Sequence, residues 1–338
     1  MKAWPMKFAL AAASILAILS TSPALAGDSG LKIIETYKIG GTGGWDYTNF
    51  DTVTKRLYVT HGTSIAAIDT VTGAITPHLA DANGAHIALP LDGGKTLLLT
   101  QGKLNQATFV DALTGARLGD IPTGSKPDGA ISDPATGAIF VLDNAGNAID
   151  VIDPATRRPT GKIPLAGAPE SGGADGNGLL YTHLEDKNAI VIIDTKTLTV
   201  KATYPLEDCD EPSGLALISG QNLLLSACNN GFARVTNANT GAEVARLPIG
   251  LHADGALYDA RTKRGYIPSG AGALTVISFD GAPRVIDVVT TRPGARTAAL
   301  DPDTGRIYLP FADYGPPEAP GKKPSIVPDT FAVLVVGP

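Results

Sequence analysis

The chain has 338 residues, a formal net charge of −6, 43% hydrophobic residues, 39 Gly, 25 Pro and two Cys. An acidic balance, with no basic patch interleaved with aromatics, excludes general attraction to nucleic acid or to anionic lipid. The Gly and Pro content, and the lack of any long stretch of i, i+3, i+4 apolar spacing, exclude a helical protein and suit one made of many tight turns.

Residues 1–26 read as a secretory signal peptide. Lys2 and Lys7 supply the charged start, residues 8–19 are apolar, and Ala24-Leu25-Ala26 is a small-x-small cleavage site. The segment is too short and wrongly flanked for a stable anchor, and no other apolar run is long enough to span a bilayer. Residues 27–338 are therefore expected to form an exported monomer, periplasmic or secreted, with no membrane span of its own.

From there one pattern recurs seven times, about 42 residues apart. Its clearest copies are Asp51 with Leu57-Tyr58-Val59-Thr60, Ile68-Asp69 and Thr72-Gly73; Asp133 with Ile139-Phe140-Val141, Ile152-Asp153 and Thr156; and Asp259 with Gly265-Tyr266-Ile267 and Val276-Ile277. Each copy holds four short strands, called a to d from the axis outward. The a strands are expected near Tyr47, Ile87, Gly129, Ser171, Gly214, Gly255 and Thr297. Turn chemistry follows each one, as at Asp92-Gly93-Gly94, Asp133-Pro134 and Asp175-Gly176-Asn177. A period of 40 to 45 residues carrying four strands is the signature of propeller blades. The predicted fold is all-β, a seven-bladed β-propeller of four-stranded antiparallel blades.

The ends of the chain fit one another. The last copy supplies strands a (297–300), b (306–311) and c (331–336) but no d, while residues 31–37 form an unmatched strand at the other terminus. The N-terminal strand is expected to complete blade 7 and close the ring, removing two open sheet edges. Between strands b and c of that blade, residues 312–329 carry five Pro, a length and composition that mark a functional excursion able to cover one face. In blade 5, Cys209 precedes strand a and Cys228 follows strand b. These adjacent antiparallel strands put both cysteines on one edge, and an exported chain with an even count favours a disulfide. Neither Cys has neighbours at zinc-finger spacing.

Aligned on the start of strand a, one column is polar in every copy: Asp46, His86, Asp128, Glu170, Ser213, Asp254 and Arg296, at spacings of 40, 42, 42, 43, 41 and 42. These side chains are expected to converge at one rim of the central channel. Four carboxylates so close repel one another and raise each other's pKa unless a cation intervenes. Arg296 and a protonated His86 offset part of that charge. A divalent ion held by Asp46, Asp128, Glu170 and Asp254 could offset the rest, with calcium or magnesium suited to the oxygen donors. The other reading is a hydrated ion-pair network that fixes blade order.

In a four-stranded meander the d–a and b–c connections share a face, so the column should lie with the b–c turns. Those turns hold His61, Gln101, Asp143, Asn144, His183, Glu185, Asp186, Asn229, Asn230, Asp313 and Tyr314, and Trp45 adjoins the column. His78 and His252 read as surface residues. Trp45, His61 and His183 join the column as expected ligand contacts.

The strand Arg56-Leu57-Tyr58-Val59-Thr60, with Ala67-Ile68-Asp69-Thr70 behind it, resembles the YVTN-repeat (YncE-like) propellers, with His61 where the family name has Asn. The resemblance covers essentially all of residues 27–338. It implies a seven-bladed ring in the periplasm or on the cell surface and no single activity.

Gly-x-Ser-x-Gly, His-Glu-x-x-His and Walker motifs are missing, and Gly41-Thr42-Gly43-Gly44 reads as a turn because no helix follows it. One Trp beyond the leader excludes the quinoprotein propellers, which need a Trp motif in each blade. Whether the protein is an enzyme is left open. The expected function is ligand binding or interaction, with a small polar ligand, a cation or a protein partner in the funnel and no nucleic acid. The alternative is a metal-assisted hydrolase or lyase of lactonase type, in which a bound ion polarises a carbonyl and His86 or a carboxylate moves the proton.

Overall fold

A computed structural model describes residues 29–317 and 324–338, so the leader at 1–26 lies outside the described residues. The described chain forms seven four-stranded sheets, each antiparallel throughout. Six are simple meanders of consecutive strands. The seventh contains strands Ala299–Asp301, Arg306–Phe311 and Ala332–Gly337, and its outer strand is the N-terminal Lys32–Lys38, which pairs antiparallel with Ala332–Gly337. The expected closure is present. Among the described residues, a single turn of 3-10 helix, Glu185–Lys187, interrupts an otherwise all-β arrangement.

The recurring Asp-x-x-Thr-Gly is a turn whose side chains complete its own hydrogen bonding. Asp69 Oδ1 accepts from the backbone of Val71 and Thr72 at 3.0 and 2.8 Å, and Gly73 N donates to Asp69 O at 2.8 Å. The same Asx geometry recurs at Asp51, Asp111, Asp153, Asp194, Asn237, Asp259 and Asp301. Each turn delivers the chain directly into an antiparallel partner.

Strand alternation then loads both faces of every blade. Leu57 and Val59 enter an apolar cluster shared with blade 7, while Tyr58 between them enters one shared with blade 2. Seven such clusters occur, one at each junction between adjacent blades. Each large side chain buried there contributes about 1.5–3 kcal/mol. No blade has a core of its own.

Near the axis the a strands approach closely. A Cβ on Gly214 would stand 2.2 Å from the backbone of Gly255 in the next blade. The Cys209–Cys228 disulfide is formed, with Cα atoms 5.1 Å apart, and both cysteines are buried. Gly214→Ala is expected to lower stability by about 1–3 kcal/mol through overpacking. Reducing the disulfide, which spans 19 residues, should cost about 3 kcal/mol. Urea midpoints at constant m-value check both.

Candidate functional site at the rim of the central channel

The pairing registers fix which face carries the polar column. Pro127 lies opposite Asp143, and Pro169 opposite Leu184, so the start of each a strand shares an end of the ring with the b–c turn of its blade. The backbone at the column is tied across every blade junction. Tyr47 N donates to His86 O at 3.0 Å, Thr100 Oγ1 to Asp128 O at 2.6 Å, and Asn144 Nδ2 to Pro169 O at 3.3 Å. Ser171 Oγ donates to Ser213 O, Ser213 Oγ to Ala253 O at 3.2 Å, Asp254 N to Arg296 O at 3.3 Å, and Thr297 Oγ1 to Asp46 O at 2.8 Å. The side chains of the column are therefore presented from a closed ring.

Six of the seven column residues project into one charged network. His86 Nδ1 lies 2.6 Å from Asp46 Oδ2 and 3.2 Å from Asp128 Oδ1. Lys126 Nζ approaches Asp128 Oδ2 at 3.3 Å. On the adjoining blades 7 and 6, Arg296 Nε donates to Asp254 Oδ2 at 2.6 Å. Ser213, the seventh, spends its hydroxyl on the backbone of the next blade. Glu185, Glu211, Ser213, Asn229, His252, Asp254 and Arg296 enclose a cleft of about 200 Å³ on this face.

Tyr47 is the feature that the sequence reading missed. Its hydroxyl donates to Glu170 Oε1 at 2.9 Å, joining blade 1 to blade 4 across the axis. The same position is Gly129, Gly214 and Gly255 in blades 3, 5 and 6, which leaves room for the ring. A lone aromatic in a column of small residues was the available signal. Beyond Tyr47 the channel continues as a cavity of about 460 Å³ with walls that include Phe50, Ile87, Ile131, Leu215 and Leu257, reaching Thr52 and Pro302 in the a–b turns of the opposite face.

The charges perturb one another. Burial pushes the Asp46 carboxyl up, and the hydrogen bond to His86 draws it back only in part, leaving it at about 6. Burial opposes charge on His86, but the hydrogen bond to Asp46 and the field of Asp128 outweigh it, so the imidazole is raised. These two groups share a proton and titrate together. Burial, reinforced by Asp128, Glu185, Asp46 and Asp254, carries Glu170 well above the usual carboxylate range. Glu170 also accepts from Asn144 Nδ2 at 3.1 Å.

Three expected contact residues point elsewhere. Trp45 is buried in the blade 1–7 core, with its ring centroid 5.4 Å from Phe331 and 6.4 Å from Tyr314, and it meets the funnel only through its carbonyl, 3.5 Å from Arg296. His61 stacks on Phe331 at 4.0 Å, and burial lowers its pKa. His183 is fully buried, bridging Ser213 O at 3.2 Å and Ser226 Oγ at 2.9 Å; burial lowers its pKa to about 4, which keeps it neutral. These side chains are consumed by packing between blades. His252 is exposed, as expected of a surface residue, and it also lines the cleft, its Nδ1 3.1 Å from Asn229 Oδ1. The described part of the Pro-rich excursion is anchored by a bridge between Tyr314 and Ile326, by the Arg292–Asp313 ion pair, and by Asp329 N donating to Gly41 O at 2.8 Å.

No family model matches the chain, and no curated protein sequence does. Solved structures match in fold. A chain of the crystal structure of a mitotic checkpoint complex shares 12% identity at a TM-score of 0.75, over 100% of this chain and 99% of that one. The RRP9 WD40 repeats share 9% identity at 0.74, over 93% and 98%. A chain of Kuenenia stuttgartiensis hydrazine synthase shares 17% at 0.66, over 79% and 92%. At such identities the likeness is one of fold, and it agrees with the seven-bladed ring.

Glu170 provides a pH test. Its folded pKa lies above its unfolded value near 4.5, so its contribution to stability is full below that pH and is lost as pH rises toward the folded value. Relative to the wild type, Glu170→Gln should therefore gain stability from pH 5 to pH 8, by at most about 1.4 kcal/mol per pH unit. Urea unfolding of both proteins across that range reads the difference. Parallel curves would show that Glu170 is ionised throughout.

Proposed function

We propose that this β-propeller is an exported binding protein of the YVTN-repeat kind, and that its funnel takes a small polar ligand on the face of the d–a and b–c connections. The observation that carries the reading is the convergence of Asp46, His86, Asp128, Glu170, Asp254 and Arg296 at one rim, where Asp254 and Arg296 also line a cleft with Glu185, Glu211, Ser213, Asn229 and His252. A network serving only to order the blades would gain nothing from leaving Arg296 and Asp254 in contact with solvent at 39% and 25% side-chain exposure. Excess carboxylate over cationic groups favours a ligand that donates hydrogen bonds or carries an amine, with Arg296 left to receive an anionic group. Export rests on the leader and on the disulfide, which persists only in an oxidising compartment. Propellers of this architecture occur in assemblies such as the mitotic checkpoint complex, which also supports an interaction role for this chain.

A second reading, a hydrolase or lyase of lactonase type, is favoured by one observation: His86 lies between two carboxylates, an arrangement able to hold or move a proton. Turnover of a lactone panel, lost in His86→Gln, would select it.

Binding to the native state raises apparent stability. A thermal-shift screen of amino acids, small amines, carboxylates, sugars and lactones is expected to find a compound that raises Tm by several degrees, about 2–4 °C for each kcal/mol. Arg296→Ala and Asp254→Asn should each abolish that shift. A shift that survives both changes, or no shift from any compound, would overturn the small-ligand reading.

A further inference from the structure

We propose that Asp46, His86 and Asp128 form a binding site for one first-row divalent metal ion, Mn²⁺ or Zn²⁺. The site lies in the funnel of the reading above and rests on it, but it is built from blades 1 to 3, with Arg296 and Asp254 on the adjoining blades 7 and 6. One ligand atom from each of the three residues lies within 4.8 Å of the others. His86 Nδ1 lies 2.6 Å from Asp46 Oδ2 and 3.2 Å from Asp128 Oδ1.

The protein's own donors leave one buried oxygen of this cluster without a hydrogen bond. His86 Nδ1 carries at most one proton, and the 2.6 Å contact commits it to Asp46. Asp128 is only 3% exposed, and its Oδ1 faces the same nitrogen with no hydrogen-bond partner. A buried carboxylate oxygen without a donor costs about 1–3 kcal/mol or more. Lys126 compensates only the other oxygen, Oδ2, at 3.3 Å. An ion in place of the shared proton would serve all three atoms at once.

The geometry suits such an exchange. Two donors at about 2.1 Å from a tetrahedral metal stand about 3.4 Å apart. The His86–Asp128 separation of 3.2 Å already approaches that, and the His86–Asp46 contact needs to widen by less than 1 Å. Asp46 and His86 retain 22% side-chain exposure, so an ion can enter from the funnel. The imidazole has its own recess, since a Cβ on Gly102 would stand 2.7 Å from His86 Nε2.

The donor set decides the class of ion. Calcium takes six to eight oxygens, and magnesium keeps several waters beside one or two carboxylates. One imidazole with two carboxylates instead suits Mn²⁺ or Zn²⁺. This revises the calcium or magnesium expected from the carboxylates alone, and it replaces Glu170 and Asp254 with His86 as a ligand. Three protein donors leave a coordination position open toward the funnel, as in sites that bind water or a ligand oxygen.

Isothermal titration of chelator-stripped protein with MnCl₂ and ZnCl₂, in two buffers of unequal ionisation enthalpy, tests the assignment. One ion per chain is expected, with release of the His86 proton on binding. His86→Gln and Asp128→Asn should each weaken binding by at least about 100-fold, while Lys201→Gln, on the exposed outer strand Thr199–Pro205, leaves it unchanged; circular dichroism confirms that each variant is folded. Electron spin echo on the wild-type Mn²⁺ form, which needs no variant, should show coupling to an imidazole nitrogen. No binding up to about 1 mM, affinity unaltered in both ligand variants, no nitrogen coupling, or equal affinity for Ca²⁺ would overturn it. The polar-ligand screen on metal-free protein separates the two ideas, because a ligand that still binds there, with no metal uptake, removes the metal site alone.

Discussion

Every blade of this molecule is unfinished until it has two neighbours. The b strands alternate so that one set of side chains packs backward and the next packs forward, as Leu57 and Tyr58 do. All seven apolar clusters therefore sit between blades. The interaction is local in space but becomes complete only when the last junction closes. The strand Lys32–Lys38 makes that closure by joining the final sheet from the opposite terminus. A linear repeat array would need polar caps on its terminal units; a ring needs none.

The same closure determines the site. Each hydrogen bond that crosses a junction at the axis holds the backbone of a column residue or of its immediate neighbour. The carbonyls of His86, Asp128, Ser213, Arg296 and Asp46 are all acceptors in this ring. Residues separated by 40 or more positions are thereby brought within hydrogen-bonding distance, as Asp46 and His86 are at 2.6 Å. Acid and base alternate unevenly round the rim. Arg296 answers Asp254 and His86 answers Asp46, while Glu170 relies on Tyr47 and Asn144. Where a cationic partner is lacking, burial pushes the carboxyl's pKa up.

The repeat made the fold and the column legible because both are periodic. Asp-x-x-Thr-Gly announces a turn from its own hydrogen bonds, and a polar residue recurring at the start of an otherwise apolar strand announces the rim. Features that occur once escaped the reading. Tyr47 is decisive only because Gly129, Gly214 and Gly255 leave space across the axis, a fact of packing and not of pattern. Trp45, His61 and His183 were counted as contacts from their position along the chain. Position along a strand end does not fix rotamer, and each ring turned instead into a junction between blades, where the area it buries outweighs the solvent contact it gives up. His183 has both nitrogens satisfied internally, which is the mark of a strut.

One phenol reaches across the axis between two differently lined spaces. The upper well is ionic and shallow; the lower is long and lined mainly by aliphatic and aromatic groups. Solutes entering from opposite ends would meet unlike surroundings, with the Tyr47–Glu170 hydrogen bond lying between them. The two ends of this ring are thus free to diverge in evolution, each tuned by its own turns without disturbing the other.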